Sequence, residues 1–146
     1  MRIGLTESKN FIQTPNFYST PVSGSIVVFP VYTSNLTDIA LSNSEHTITN
    51  THPSDAVYVN TFFVDQDGVV SNVYYNIAAG ESANFTAFDL YPGVTGYVIA
   101  IATNDQGIPI NFDYLTGREN VYFSPSYVGS FDAYTINQID LKTHET

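Results

Sequence analysis

The sequence predicts an all-β fold, an antiparallel β-sandwich of the Ig-like or jelly-roll type with about seven to nine strands. Three observations predict it. Apolar and aromatic residues run in short strand-length segments, several of them with a period of two. Clusters of Gly, Pro, Asn, Asp and Ser punctuate those segments about every 8–12 residues. No 3.6-residue apolar period persists long enough to argue for a helix. Composition agrees: 11 Tyr and 10 Phe favour strands, and only 12 % of residues are charged, so Ser, Thr, Asn and Tyr must carry the polar surface.

The elements follow in chain order. Residues 1–22 stand apart as an N-terminal arm, with Pro15, Pro21, Phe11, Phe17 and Tyr18 but no clear period. Residues 23–146 form the single sandwich domain. Ser25 to Tyr32 is apolar on both faces, and Pro30 marks an edge or a bulge. Thr33 to Asn43 reads as a loop, Glu45 to Asn50 alternates, and Thr51-His-Pro-Ser-Asp55 reads as a turn. Ala56 to Asp65 is a strand, and Asp65-Gln-Asp-Gly68 a hairpin turn.

Val69, Ser71, Val73, Tyr75 and Ile77 share one face of the next strand, and Ala83, Phe85 and Ala87 point inward after the turn Ala79-Gly-Glu81. Gly96 to Ala102 is apolar throughout, the pattern of a central strand covered on both sides. Asn104-Asp-Gln-Gly107 repeats the earlier hairpin turn. Ile108 to Tyr114, Asn120 to Phe123 and Phe131 to Leu141 supply further strand candidates.

Charge and cysteine content narrow the function classes. Four basic against 14 acidic residues give a net charge of −10, which leaves no basic stripe for nucleic acid and repels anionic membranes. No segment reaches the length of apolar residues that a membrane span needs. Without cysteine there is no disulfide, thiol or Cys-based zinc chemistry. Met1 to Asn10 lacks the apolar stretch of a signal peptide, so export would involve a processed form or another route.

Three stretches, Ile48-Thr-Asn-Thr-His-Pro53, Val57 to Asp65 and Ala79-Gly-Glu-Ser-Ala-Asn-Phe-Thr86, resemble bacterial Ig-like extracellular domains. Pro92-Gly-Val-Thr-Gly-Tyr-Val-Ile-Ala-Ile-Ala102 followed by Gly107-Ile-Pro-Ile-Asn-Phe-Asp-Tyr-Leu-Thr-Gly117 is similar to a group of predicted-secreted bacterial proteins with such a sandwich. The resemblance spans roughly residues 24–125, the extent of one sandwich domain. It implies an extracellular location, and it carries over no functional residues.

Candidate sites are few. Asp65, Asp67, Asn104 and Asp105 sit in two matching turns and would form a weak Ca²⁺ site if both turns share one end of the sandwich; as single turns they read as hairpins. Glu45, His46, His52 and Asp55 fall within eleven residues but lack a diagnostic metal spacing, and both histidines read as surface residues. Asp113 and Glu119 form a carboxylate pair by sequence proximity alone, and a solvated loop role is the simpler reading. Tyr74-Tyr-Asn76 and Asn111-Phe-Asp-Tyr114 place aromatics beside amides, a combination that suits a glycan. Asn35-Leu-Thr37 and Asn84-Phe-Thr86 match the glycosylation acceptor pattern. There is no nucleophile elbow, and no cofactor other than Ca²⁺ is suggested.

The expected function is therefore a non-enzymatic, extracellular structural or interaction module. It would self-assemble into a filament, coat or matrix by strand exchange, with Phe11, Phe17 and Tyr18 of the arm filling pockets on a neighbouring copy. The alternative is a Ca²⁺- or carbohydrate-binding sandwich.

Overall fold

The apolar run expected at the centre of a sheet is β6 (Thr95–Thr103), which pairs antiparallel with β3 (Val57–Asp65) on one side and β1 (Ile26–Leu36) on the other. This is seen in a computed structural model, which describes residues 22–36, 41–90, 93, 95–123 and 126–137. The expected arm, residues 1–22, lies outside the described residues except for Val22.

β4 (Val70–Ile77) extends this layer beyond β3, and β9 (Tyr134–Ile136) closes it beside β1, giving the order β4-β3-β6-β1-β9. A second layer is centred on β2 (Leu41–Asn50). It pairs with β7 (Leu115–Phe123) along one edge, and with β5 (Ser82–Thr86) and the end of β1 along the other. β8 (Ser126–Asp132) follows β7. Among the described residues all nine strands are antiparallel to their neighbours and joined in one hydrogen-bonded sheet, because β1 belongs to both layers. The fold is all-β and sandwich-like; among the described residues the one helical piece is α1 (Ala87–Leu90), a single turn.

β1 changes layers through a bulge. Its pairing with β6 runs through Phe29↔Val98 and resumes at Tyr32↔Gly96, so Pro30 and Val31 together oppose Tyr97. Pro30, which has no N–H to give a ladder, sits exposed at this point. From Ser34 the strand pairs with β2 instead. The stretch read as a loop from Thr33 to Asn43 thus contains the end of one strand and the start of the next. The bend is fixed by the layer change rather than by turn residues.

The core lies between the layers. Val27, Phe29, Val59, Phe63, Val98, Ala100 and Ala102 face Ile48, Phe85 and Leu115, all 7 % exposed or less. A Cβ on Gly117 would stand 2.5 Å from Val27 Cγ1 and 3.0 Å from Phe29 Cζ, so the layers meet closely there and only hydrogen fits. Tyr75 and Ile77 face the core as expected, while Val69 is 59 % exposed and precedes the strand.

Two expectations need correction. The odd-numbered face of β6 is not fully covered, since Tyr97 is exposed and Ile99 and Ile101 are half-buried. Ile108 to Tyr114 is a loop, tied to Thr103 by one isolated bridge at Pro109.

Candidate functional site

The bulge in β1 leaves backbone groups without ladder partners, and buried groups of that kind must be satisfied elsewhere. Side chains from β2 do this. His46 Nε2 lies 3.0 Å from the Val31 carbonyl, Ser44 Oγ accepts from Thr33 N at 3.0 Å, and Thr33 and Ser42 join hydroxyls at 2.8 Å. A carbonyl only accepts, so the His46 proton sits on Nε2.

His46 is 1 % exposed, not the surface residue its alternating strand suggested. Its ring stacks on Tyr32 at 5.7 Å and on Phe85 at 4.8 Å, with Phe29 edge-on at 4.9 Å. Glu119 is its cross-strand partner and is fully buried, which corrects the solvated-loop reading. Glu119 Oε2 lies 3.2 Å from His46 Nε2, yet the N–H is directed at Val31, and neither carboxylate oxygen has a hydrogen-bond partner among the described residues. His46 thus serves a structural bond.

Asp113 lies in the loop before β7 and Glu119 within that strand. From Leu115 to Glu119 alone is four residues of strand, about 13 Å. Paired carboxylates of a glycosidase stand roughly 5–9.5 Å apart.

His52 belongs to a different place. Asn50, fully buried at the end of β2, donates to the Asp55 and Ile77 carbonyls at 2.8 and 3.0 Å and accepts from His52 N at 2.9 Å. This holds the 51–56 turn against the end of β4. His52 Nδ1 accepts from Ser54 N and Asp55 N, so its proton is on Nε2, 3.5 Å from Asp55 Oδ2. The ring packs on Phe112 and Tyr114. The four residues Glu45, His46, His52 and Asp55 therefore divide between an outer face, the core and one loop end.

The two matching turns repeat each other closely. Asp65 Oδ1 accepts from Asp67 N and Val69 N, both at 2.9 Å; Asn104 Oδ1 accepts from Gln106 N and Ile108 N at 2.9 and 3.0 Å. Gly68 and Gly107 both have φ near +80°. Asp65 pairs with Gly96 at the start of β6, whereas Asn104 follows Thr103 at its end. The turns lie at opposite ends of the sandwich, separated by about 23 Å of strand. Asp65, Asp67, Asn104 and Asp105 do not converge, and a shared Ca²⁺ site is not formed.

The marked feature is a contrast between the outer faces. Over β5, β2, β7 and β8 the outer face is polar. Thr47 donates to Asn84 Oδ1 and Thr49 bonds Ser82, each at 2.7 Å, Arg118 pairs with Asp132 at 2.8 Å, and Asn120 and Tyr122 donate to Glu45. Asn84 of the glycosylation pattern stands exposed on this face. A depression of about 310 Å³ lies beside it, lined by Glu45, His46, Thr47, Asn84, Phe85, Thr86 and Asp89.

The opposite layer carries no charged side chain in its five strands except Asp65 at the tip of β3. Register sets its outer face in rows: Val70, Val64 and Tyr97; then Asn72, Phe62, Ile99, Val28 and Tyr134; then Tyr74, Asn60, Ile101, Ile26 and Ile136; then Asn76 and Tyr58. Of these Tyr134 is 68 % exposed, Val70 57 %, Tyr74 54 %, Tyr97 42 % and Tyr58 37 %. Asn60 bridges Tyr74 and Asn72 at 3.2 and 3.0 Å. Half-buried Ile, Val and Phe at the centre, ringed by Tyr and Asn, resemble the core and rim of a protein interface.

No family model matches the chain, and no curated protein matches it. Among solved structures it is similar to the crystal structure of Thermotoga maritima 1070, with a TM-score of 0.58 and 15 % identity. The likeness covers 79 % of this chain and 97 % of that one and concerns the fold. It supports the sandwich. The charge-free face escaped the sequence reading, which weighed polar clusters, although the lack of charged residues in five strands is visible in the sequence itself.

Proposed function

We propose that this chain is a non-enzymatic interaction module, extracellular and self-associating, whose working surface is the outer face of the β4-β3-β6-β1-β9 layer. One observation carries the reading: on a molecule of net charge −10, a whole sheet face is free of charge and keeps four tyrosines more than one-third exposed. Like copies repel one another where their carboxylates gather and approach without that cost through this face. The low charged fraction and hydroxyl-rich surface suit a location outside the cell, and assembly into a filament, coat or matrix follows if a second contact joins the pairs.

Sedimentation velocity tests the reading. The full chain associates with rising concentration, and Val70→Glu/Tyr134→Glu, which adds charge at two exposed positions, reverts it to monomer. A chain that stays monomeric throughout, or a variant that associates as well as the parent, refutes it.

The tyrosines and amides also favour a second reading, binding of a neutral polysaccharide by ring stacking on sugar faces. Retardation of the protein in native gels containing neutral glucans, lost on Tyr74→Ala/Tyr134→Ala, would support it; unchanged mobility would remove it.

A further inference from the structure

We infer that two copies of this chain pair face to face about a twofold axis running across the strands of the β4-β3-β6-β1-β9 layer, so that each strand lies on the same strand of the other copy in the opposite direction. The inference rests on the self-association proposed above and specifies how the two copies are turned.

A closed pair of like copies uses the same patch on both, related by a twofold axis. The patch offered here is small. From β4 to β9 is four inter-strand steps, about 19 Å, and from Val70 to Asn76 along β4 is about 20 Å. With its side chains such a face covers roughly 600 Å² on each copy, about 1,200 Å² for the pair, the lower limit of a specific interface. The two faces must therefore overlap almost completely.

Almost complete overlap leaves two orientations. With the axis along the strands and over the central β6, β4 of each copy lies on β9 of the other. β4 presents Val70, Asn72, Tyr74 and Asn76 outward, whereas β9, three residues long, presents Tyr134 and Ile136, level with Asn72 and Tyr74. Both ends of β4 then overhang, and Tyr97 meets Tyr97. With the axis across the strands, midway between Asn72 and Tyr74, every strand covers its own copy and nothing overhangs.

Side-chain size favours the same orientation. Tyr134 of each copy opposes Ile136 of the other, Tyr74 opposes Asn72, Tyr58 opposes Val64 and Tyr97 opposes Thr103. Each of the four exposed tyrosines thus stands over a shorter side chain, and no tyrosine meets another. Between them Ile99 opposes Ile101 and Val28 opposes Ile26, apolar on apolar. Tall against short is the interdigitation that lets two sheets pack about 10 Å apart. None of the opposed positions carries a charge, so the pair forms without bringing carboxylates of the two copies together in the contact.

Charge complementation in full-length protein tests the orientation, because position 72 of one copy meets position 74 of the other. Asn72→Lys/Tyr74→Lys and Asn72→Glu/Tyr74→Glu place like charges in contact when each variant pairs with itself, and opposite charges when the two are mixed. Both positions are exposed, and circular dichroism confirms that the variants fold. By sedimentation velocity each variant alone should associate at least tenfold more weakly than the parent, and the equimolar mixture at least tenfold more strongly than either. A second mixture, Asn72→Lys/Tyr74→Lys with Tyr134→Glu/Ile136→Glu, should show no such gain. A gain in the second mixture and not the first means that β4 lies on β9 and overturns the inference. No gain in either mixture, with a parent that associates and is reverted by Val70→Glu/Tyr134→Glu, sinks the orientation and leaves the face. A parent monomeric at every concentration sinks both.

Discussion

His46 and Glu119 face each other across β2 and β7 in the core, their nearest atoms 3.2 Å apart, and yet the His46 N–H serves the Val31 carbonyl at 3.0 Å. The histidine supports the bulge through which β1 changes layers. The carboxylate, fully buried, has no hydrogen bond from the described residues.

The two residues should therefore respond unequally to substitution. His46→Leu removes the hydrogen-bond partner of the Val31 carbonyl at the bulge, a loss of about 1–3 kcal/mol. Glu119→Met keeps the volume and the Val31 bond, and should cost less than about 1 kcal/mol or stabilise. Urea unfolding of both variants and the double variant measures this. Equal losses would contradict the assignment.

Asn50 has three partners on two segments, so Asn50→Ala should destabilise by about 2–4 kcal/mol, with the 51–56 turn opening first. Asn50→Asp keeps the acceptor for His52 N but loses both donors, and should recover little. Thermal melts with amide exchange at Asp55 and Ser54 report it.

How much of this was legible in sequence depends on range. Period-two alternation gave β4 and β5 their faces, Pro30 marked the bulge, and the Asp65 and Asn104 turns were readable because Gly and Asx chemistry is local. His46 was misplaced because alternation assigns a face without telling which face is inside, and polar identity argued for the wrong one; Glu119 was misplaced because it lies just before the apolar stretch Asn120 to Phe123 and so read as loop. What buries them is the change of layer by β1, a long-range event without a local signature. The separation of the two turns likewise follows from β6 lying between them.

Because Asp65 and Asn104 act through one side-chain oxygen each, they should be interchangeable. Asp65→Asn and Asn104→Asp keep both backbone bonds and should shift stability by less than about 0.5 kcal/mol, whereas Asp65→Ala should lose about 1–2 kcal/mol. The loss should be the same with and without millimolar Ca²⁺, which thermal melts can compare. A calcium-dependent difference would restore a metal role to the Asp65 turn.

Gly117→Ala places a methyl against Val27, Phe29 and Ala133 and should cost about 1–3 kcal/mol by overpacking. Gly68→Ala meets no atoms within 4 Å and should cost about 1 kcal/mol through its positive φ alone. Denaturant midpoints should show a change at Gly117 that Val27→Ala partly rescues, and no such rescue at Gly68.

Hydroxyl-radical footprinting across a concentration series reads the proposed working surface most directly, since it reports side-chain exposure residue by residue. Self-association through the charge-free layer predicts that Tyr58, Tyr74, Tyr97 and Tyr134 lose reactivity together as concentration rises, while Tyr114 at the loop end does not change. Protection at Tyr114 with the four sheet tyrosines unaltered would contradict it.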